Sequence, residues 1–238
     1  MKTRIVAWIK NQVRESGAKG IVLGLSGGID SSVVAALCVE AVGRAKVLGL
    51  FMPCHSQPRD LADARIVAKH LRIKTKLIDL SKVYNSFLSI LPKGNALALA
   101  NLKPRLRMIT LYYHANKLNY LVSGTGNKSE LMVGYFTKHG DGGTDILPIA
   151  DLLKRQVRAL ARELKIPEHI ILKPPTAGLW AGQTDEKEMG ITYDELDDIL
   201  DRMLNNKKQI ALKSKINKVH DMHKRSEHKR QGPKIYYL

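Results

Sequence analysis

The chain has 238 residues, 44% of them hydrophobic, which suffices for one α/β core and leaves no room for a second catalytic domain of ordinary size. Thirty-nine Lys and Arg against 22 Asp and Glu give a formal charge of +17 and a sequence pI near 9.9, a balance suited to polyanionic ligands, nucleotides or nucleic acid. Aromatics are only 5%, which counts against a base-stacking nucleic-acid surface, and Cys38 and Cys54 lack the spacing of a zinc knuckle or disulfide scaffold, so a reducing cytoplasm is expected.

Residues 1–16 interleave Lys2, Arg4, Lys10 and Arg14 with Ile5, Trp8, Ile9 and Val13, the pattern of an amphipathic helix rather than a signal peptide. No apolar run approaches the length of a membrane span. Ile21-Val22-Leu23 predicts a first strand, residues 24–32 a tight turn and residues 30–42 a helix. A helix start leaves free backbone N–H groups and a partial positive charge, and Gly27 and Gly28 let a phosphate approach them. Ser26, Ser31 and Ser32 add hydroxyls, and Asp30 becomes useful if Mg²⁺ bridges it to phosphate oxygens. Gly24-Leu25-Ser26-Gly27-Gly28 also fits a nucleophile elbow with Ser26 as nucleophile. That elbow follows several strands and an upstream oxyanion loop, whereas one amphipathic segment precedes this one. No Gly-Lys-Ser/Thr ends the turn, so it is not a Walker A loop.

Residues 46–52 predict a second strand, residues 60–71 a helix and residues 75–78 a third strand. This β-α-β-α-β order gives a parallel, doubly wound sheet with helices on both faces, whose ligands bind beyond the carboxyl ends of the strands. The loop 53–58 stands at one such end, where a base could lie over Phe51 and Met52, with His55 read as a solvated loop residue. Residues 82–91 read as a helix, residues 92–95 as a break, and residues 101–118 as a helix with Pro104 in its first turn. Lys103, Arg105 and Arg107 there form a candidate anion clamp.

Residues 120–123 are the fourth strand, and the turn 124–130 brings Glu130 to the same sheet edge as Asp30. Carboxylates from two strand ends suit a cation on a polyphosphate. The glycine-rich loop 135–145 reads as serving a site. Residues 151–164 read as a helix capped by Asp151, with Lys154, Arg155 and Arg158 exposed or aimed at phosphate. Pro174-Pro175-Thr176 marks an extended loop, and residues 183–190 read as polar and mobile. Helices over 192–204 and 207–222 lead to a basic tail from about residue 223, expected to be solvated.

The string Ser-Gly-Gly-Ile-Asp-Ser-Ser, residues 26–32, resembles the pyrophosphatase loop of the ATP pyrophosphatase superfamily. There the loop holds the pyrophosphate that leaves when a substrate oxygen attacks the α-phosphate of ATP. Further strings narrow the resemblance: Gly-Thr-Gly-Asn-Lys-Ser-Glu (124–130), Gly-Tyr-Phe-Thr-Lys-His-Gly-Asp-Gly-Gly (134–143), Leu147-Pro148, Lys-Pro-Pro-Thr-Ala (173–177), residues 183–197 and Glu-His-Lys-Arg (227–230). In this order they resemble the NAD synthetases, over residues 20–230.

The resemblance implies an adenine nucleotide α-hydrolase-like fold over the whole chain, 1–238, and a cytoplasmic homodimeric ligase. The reaction implied is amidation of deamido-NAD to NAD with ammonia, through an acyl-adenylate, with ATP leaving as AMP and pyrophosphate. Position by position, Gly24, Leu25, Ser26, Gly27, Gly28, Ile29, Asp30, Ser31, Ser32, Thr125, Lys154 and Thr176 would bind ATP, and Asp30 and Glu130 would hold Mg²⁺. Lys154 and Thr176 would steady charge in adenylation, and Asp141 would take a proton from ammonium. Arg105, Lys138, Asp145, His228 and Lys229 match positions that bind deamido-NAD, some from the neighbouring subunit. Bacterial members often carry an arginine just before the proline of the second-strand loop, where Phe51-Met52 stand here. No glutaminase domain fits the length, so free ammonia, or ammonia from a separate partner, is implied. The alternative is a tRNA-modifying ATP pyrophosphatase, which the charge favours and the absence of zinc or thiol motifs disfavours.

Overall fold

The computed structural model describes residues 1–180, 182–208 and 210–236. In chain order the elements are α1 (Lys2–Glu15), β1 (Gly20–Gly24), α2 (Ile29–Val42), β2 (Val47–Phe51), α3 (Pro58–Leu71), β3 (Lys74–Leu77), α4 (Ser81–Ile90), α5 (Ala96–Leu118), β4 (Tyr120–Val122), α6 (Lys128–Val133), α7 (Lys154–Glu163), α8 (Glu168–Ile171), α9 (Asp185–Met189), α10 (Tyr193–Leu204), α11 (Lys213–Arg225) and α12 (Glu227–Arg230). The strands form one parallel sheet in the order β3-β2-β1-β4, with Ile21 opposite Val47 and Leu121, and Leu50 opposite Lys76.

Both faces of β1 and β2 are covered, which is why their residues are apolar without alternation. Ile21, Leu23, Val47 and Phe51 pack on one side with Ile9 of α1, Val33 and Leu37 of α2, Val67 of α3 and Leu160 of α7. Val22, Leu48 and Leu50 face the other way, onto Tyr84 of α4 and Leu106 and Ala115 of α5. The sheet is therefore doubly wound, as its alternating pattern predicts. A third cluster, Val133, Leu153, Met189, Tyr193, Leu196, Ile199 and Val219, joins α6, α9, α10 and α11. β3 lies at the edge with its residues exposed, and Lys74 and Lys76 guard its open hydrogen-bonding side.

Four expectations need correction. α5 begins at Ala96 because the Asn95 side chain accepts from the Ala98 N–H at 2.9 Å, so Pro104 falls in the helix interior rather than the first turn. α7 begins at Lys154, not Asp151, whose carboxylate is out in solvent on Lys128. Its free N–H groups are met from elsewhere: Lys154 N–H donates to Ser129 Oγ at 3.0 Å and Arg155 N–H to Asp197 Oδ2 at 2.7 Å. Residues 183–190 are not a mobile loop, because α9 forms there and buries Gln183, Asp185 and Met189.

The fourth concerns the C-terminus. The last predicted helix is shifted to Lys213–Arg225, and the basic stretch beyond it is docked rather than solvated. Arg230 donates to the carbonyls of Leu131, Met132 and His223, and Lys229 to those of Gly134 and Phe136. The bonds to Leu131 and Met132 satisfy the end of α6, where carbonyls lack helical partners, and those to Gly134 and Phe136 hold the turn that follows it. Gly134 there has φ +71°, and a Cβ would sit 2.0 Å from that of Ser226, so glycine lets the C-terminal segment approach.

Candidate active site

In a parallel sheet with this order the chain winds outward from β1 in two directions, and a crevice opens between the carboxyl ends of β1 and β4. A cavity of about 630 Å³ occupies that crevice. β1 delivers the glycine loop into it, and β4 delivers the turn before α6. Gly28 is the N-cap of α2 and no side chain caps that helix, which leaves its first N–H groups open to an anion. Gly27 has φ +78°, and a Cβ would lie 2.3 Å from the Asp60 carbonyl oxygen, so the loop can pass under α3 only as glycine.

Of the loop, Gly24, Leu25, Ser26, Gly28, Ile29, Asp30 and Ser31 reach the wall. Gly27 and Ser32 lie behind it and shape the turn. The Ser32 hydroxyl donates to the Gly28 carbonyl at 2.7 Å, and that of Ser31 to the same carbonyl at 3.1 Å. Ser26 Oγ accepts from the Gly28 N–H at 3.2 Å and sits 3.0 Å from Ser31 Oγ. Among the described residues no histidine bonds to Ser26, whose Oγ meets only Ser31 Oγ and the Gly28 N–H, so it lacks the adjacent base of an elbow nucleophile.

Lys154, the first residue of α7, is 1% exposed and points into the crevice. Its Nζ lies 2.5 Å from Asp30 Oδ2 and 3.3 Å from Glu130 Oε1, and stands 4.8 Å above the Tyr193 ring. Asn127 ties the two sides together. Its Nδ2 donates to Asp30 Oδ1 at 3.0 Å, while its Oδ1 caps α6 by accepting from the Glu130 N–H. The Tyr193 hydroxyl donates to Glu130 Oε1 at 3.2 Å and Asp185 Oδ2 at 2.9 Å.

Burial works against the Lys154 charge, but Asp30 and Glu130 outweigh it and hold the ammonium above the usual lysine range. Burial also raises Glu130 and Asp185, against the pull of Lys154. Three carboxylates thus share one ammonium, and Asp185 Oδ1 has no partner. That surplus of negative charge and the free oxygen fit a divalent cation beside Asp30 and Glu130.

Thr125, Thr176, Asp141 and Lys229 also line the cavity. Thr176 Oγ1 accepts from the Gly178 N–H at 3.1 Å, and Asp141 Oδ1 from the Thr137 N–H at 2.9 Å. Asp141 is an exposed residue that also lines the cavity, and desolvation by the protein packed around its carboxyl pushes it up despite that N–H. Arg155 and Arg158 turn away from the cavity to Asp198 and Asp194 of α10, leaving Lys154 as the cation of that helix in the wall.

Arg105, Lys138, Asp145 and His228 lie outside that wall. Lys138 Nζ donates to the carbonyls of His228 at 2.6 Å and Gln231 at 3.0 Å, and Arg105 Nη2 reaches the Lys138 carbonyl at 3.5 Å. Asp145 Oδ2 accepts from the Val122 N–H at 2.7 Å and Oδ1 from the Tyr112 hydroxyl at 2.9 Å. Asp145→Ala would strand that backbone donor beside β4. A stability loss of about 1–3 kcal/mol is expected, read from urea unfolding at fixed pH.

Sequence reasoning missed Asn127, Asp185 and Tyr193 as site residues. Asn-Lys-Ser-Glu carried the signal of a cap for Asn127, but nothing local aims Asp185 or Tyr193 at the cavity. At the second-strand loop, Arg107 arrives from α5: Nε donates to the Met52 carbonyl at 3.1 Å and Nη2 to Ser56 Oγ at 3.4 Å. A guanidinium therefore stands in that loop although the sequence has Phe51-Met52 there.

The model of the NAD synthase family matches residues 1–233. The chain belongs to the NAD synthase family. It is 48% identical over 240 residues to the NH(3)-dependent NAD(+) synthetase of Carboxydothermus hydrogenoformans, covering 99% of this chain and 96% of that one. The corresponding enzyme of Archaeoglobus fulgidus is 51% identical over 234 residues, covering 98% and 94%. Among solved structures, the NMN synthetase from Francisella tularensis superposes with a TM-score of 0.92 at 40% identity, over 100% of this chain and 97% of that chain. The NH3-dependent NAD synthetase from Campylobacter jejuni, solved with nitrate, gives 0.87 at 30% identity over 99% and 97%. The fold is the adenine nucleotide α-hydrolase-like one that the resemblance implied, built on the doubly wound parallel sheet that the β-α-β-α-β pattern predicts.

Proposed function

We propose that this protein is an ammonia-dependent ligase that converts deamido-NAD to NAD, consuming ATP and releasing AMP and pyrophosphate. The observation that carries the reading is the convergence of the glycine loop, the uncapped start of α2 and the buried Asp30–Lys154–Glu130 group at one sheet edge. Together they offer backbone donors and an ammonium to a polyphosphate, and carboxylates to a counter-cation.

The nicotinate carboxylate attacks the α-phosphate of ATP, its new P–O bond forming as the bond to pyrophosphate breaks. Ammonia then attacks the acyl carbon and AMP departs. No protein nucleophile is needed, so the chain's work is positioning and charge stabilisation. Gly24, Leu25, Ser26, Gly28, Ile29 and Ser31 cradle the phosphates, with Gly27 and Ser32 holding the loop's shape. Lys154, Thr125 and Thr176 face them. Mg²⁺, held by Asp30 and Glu130, would supply neutralisation of the departing diphosphate. Asp141 accepts a proton as ammonium becomes the attacking ammonia. Lys229 at the wall, with Arg105, Lys138, Asp145 and His228 beyond it, receives deamido-NAD.

We place the enzyme in the cytoplasm as a homodimer, which brings the outer group of deamido-NAD residues against a neighbouring subunit. Ile90 is 76%, Ile109 58% and Tyr113 61% exposed on α4 and α5, apolar side chains that a second copy would bury. Light scattering on a size-exclusion column should give twice 26.6 kDa; a monomer at micromolar concentration would remove this part of the reading.

The test is incubation with ATP, Mg²⁺, ammonium and deamido-NAD, following NAD and pyrophosphate. Both should form in equal amounts, and omitting deamido-NAD should suppress pyrophosphate. The full-length likeness to an NMN synthetase makes the mononucleotide acid the second substrate to supply. Faster turnover of the mononucleotide would move the assignment to it. The tRNA-modifying alternative is not favoured by relatives that match along nearly the whole chain.

A further inference from the structure

Asp185 is placed by no motif role above, yet it is 4% exposed and belongs to the cavity wall. Its N–H donates to the Pro175 carbonyl at 3.1 Å, which joins α9 to the extended loop that carries Thr176. Oδ2 accepts the Tyr193 hydroxyl, and that same hydroxyl also donates to Glu130. Oδ1 is buried and makes no hydrogen bond of its own, for the Tyr135 hydroxyl that stands near the carboxylate donates to Glu188 instead. Leaving a buried carboxylate oxygen unmade is costly, so a site that keeps one has a use for it when filled.

The occupant must bring a hydrogen-bond donor or positive charge to within one hydroxyl of Glu130. Asp185 does not complete a direct metal cage, since among the described residues no three His, Cys, Asp or Glu are grouped to hold an ion. Mg²⁺ usually keeps several of its waters and is held by only one or two carboxylates. We infer that Asp185 Oδ1 accepts a hydrogen bond from a water in the hydration shell of the cation held by Asp30 and Glu130. Asp185 is thus a positioning residue that tightens the cation indirectly. Through Tyr193 it also orients Glu130, and through Pro175 it links cation binding to the Thr176 loop. The inference rests on the nucleotide-and-cation reading of this site.

The experiment is a Mn²⁺ titration of the full chain by electron paramagnetic resonance, with α,β-methylene-ATP present so that no turnover occurs. Asp185→Asn keeps the shape and an acceptor for Tyr193 but removes the charge. Its Mn²⁺ dissociation constant should rise about 10–100-fold, the usual effect of losing an outer-sphere partner. The Mg²⁺ concentration for half-maximal pyrophosphate release should rise by the same factor, with kcat at saturating Mg²⁺ nearly unchanged. Asp185→Ser, smaller and uncharged, should weaken Mn²⁺ similarly and covers the case in which the asparagine variant folds poorly. A merely structural role would lower the melting temperature of the metal-free protein and leave Mn²⁺ affinity alone. A folded variant that binds Mn²⁺ like the parent overturns the inference. Failure of the parent itself to bind Mn²⁺ with the analogue would instead overturn the cation site beneath it.

Discussion

Lys154→Ala should abolish measurable amide formation and destabilise the fold by about 3–5 kcal/mol, because it strands buried carboxylates without their ammonium. The side chain is 1% exposed and contacts Asp30, Glu130 and the Tyr193 ring, so water cannot replace it. Turnover loses a preorganised positive charge at the polyphosphate, worth about 10²–10³-fold or more in a water-poor site. Stability and chemistry are separable here. Differential scanning calorimetry with and without Mg²⁺ should show the divalent ion restoring part of the lost melting temperature, while pyrophosphate release stays absent. Full turnover in Lys154→Ala would remove this residue from the reaction.

Asp30→Asn is the complementary change and should act mainly on chemistry. Asparagine occupies the same space and can still accept from Asn127 Nδ2, which lies 3.0 Å away. What it loses is the charge that holds Lys154 and the counter-cation. Pyrophosphate release should fall by roughly 10²–10⁴-fold, the scale at which removing an electrostatic group from a phosphoryl-transfer site is felt. The unfolding midpoint in urea should move far less. Equal losses of activity and stability would mean that Asp30 serves the fold and not the reaction.

The two variants differ because the cluster is over-negative. Removing the cation leaves repulsion, whereas removing one of three carboxylates relieves it. Neutralising Asp185 belongs on the relieved side, which is why its effect is expected in cation affinity rather than in folding.

Much of this site could be read from local pattern. The strand-turn-helix at residues 24–32 needs glycine at 27 for the close approach of α3, and the Gly27-Gly28 pair before a helix start marks a loop suited to an anion before any fold is known. Asp30 and Glu130 follow from two strand ends at one sheet edge. The start of α7 could not be read that way. Asp151 has the chemistry of a cap and lies nearby in sequence, but Ser129 and Asp197 outcompete it from distant elements. Nor could the fate of the tail, whose cations find the carbonyls at the end of α6 some 95 residues earlier.

The sequence by itself determined the alternation of strand and helix, hence the parallel doubly wound sheet, and the loop chemistry suited to a nucleotide's phosphates. Apolar periodicity and turn residues are local properties and survive without any long-range contact. Only the tertiary structure decided that Lys154 meets Asp30 across 124 residues, that Tyr193 bridges Glu130 and Asp185, and that Arg107 fills the second-strand loop. Those meetings arise when burial forces polar groups from separate elements to satisfy one another, a requirement no single stretch of chain records.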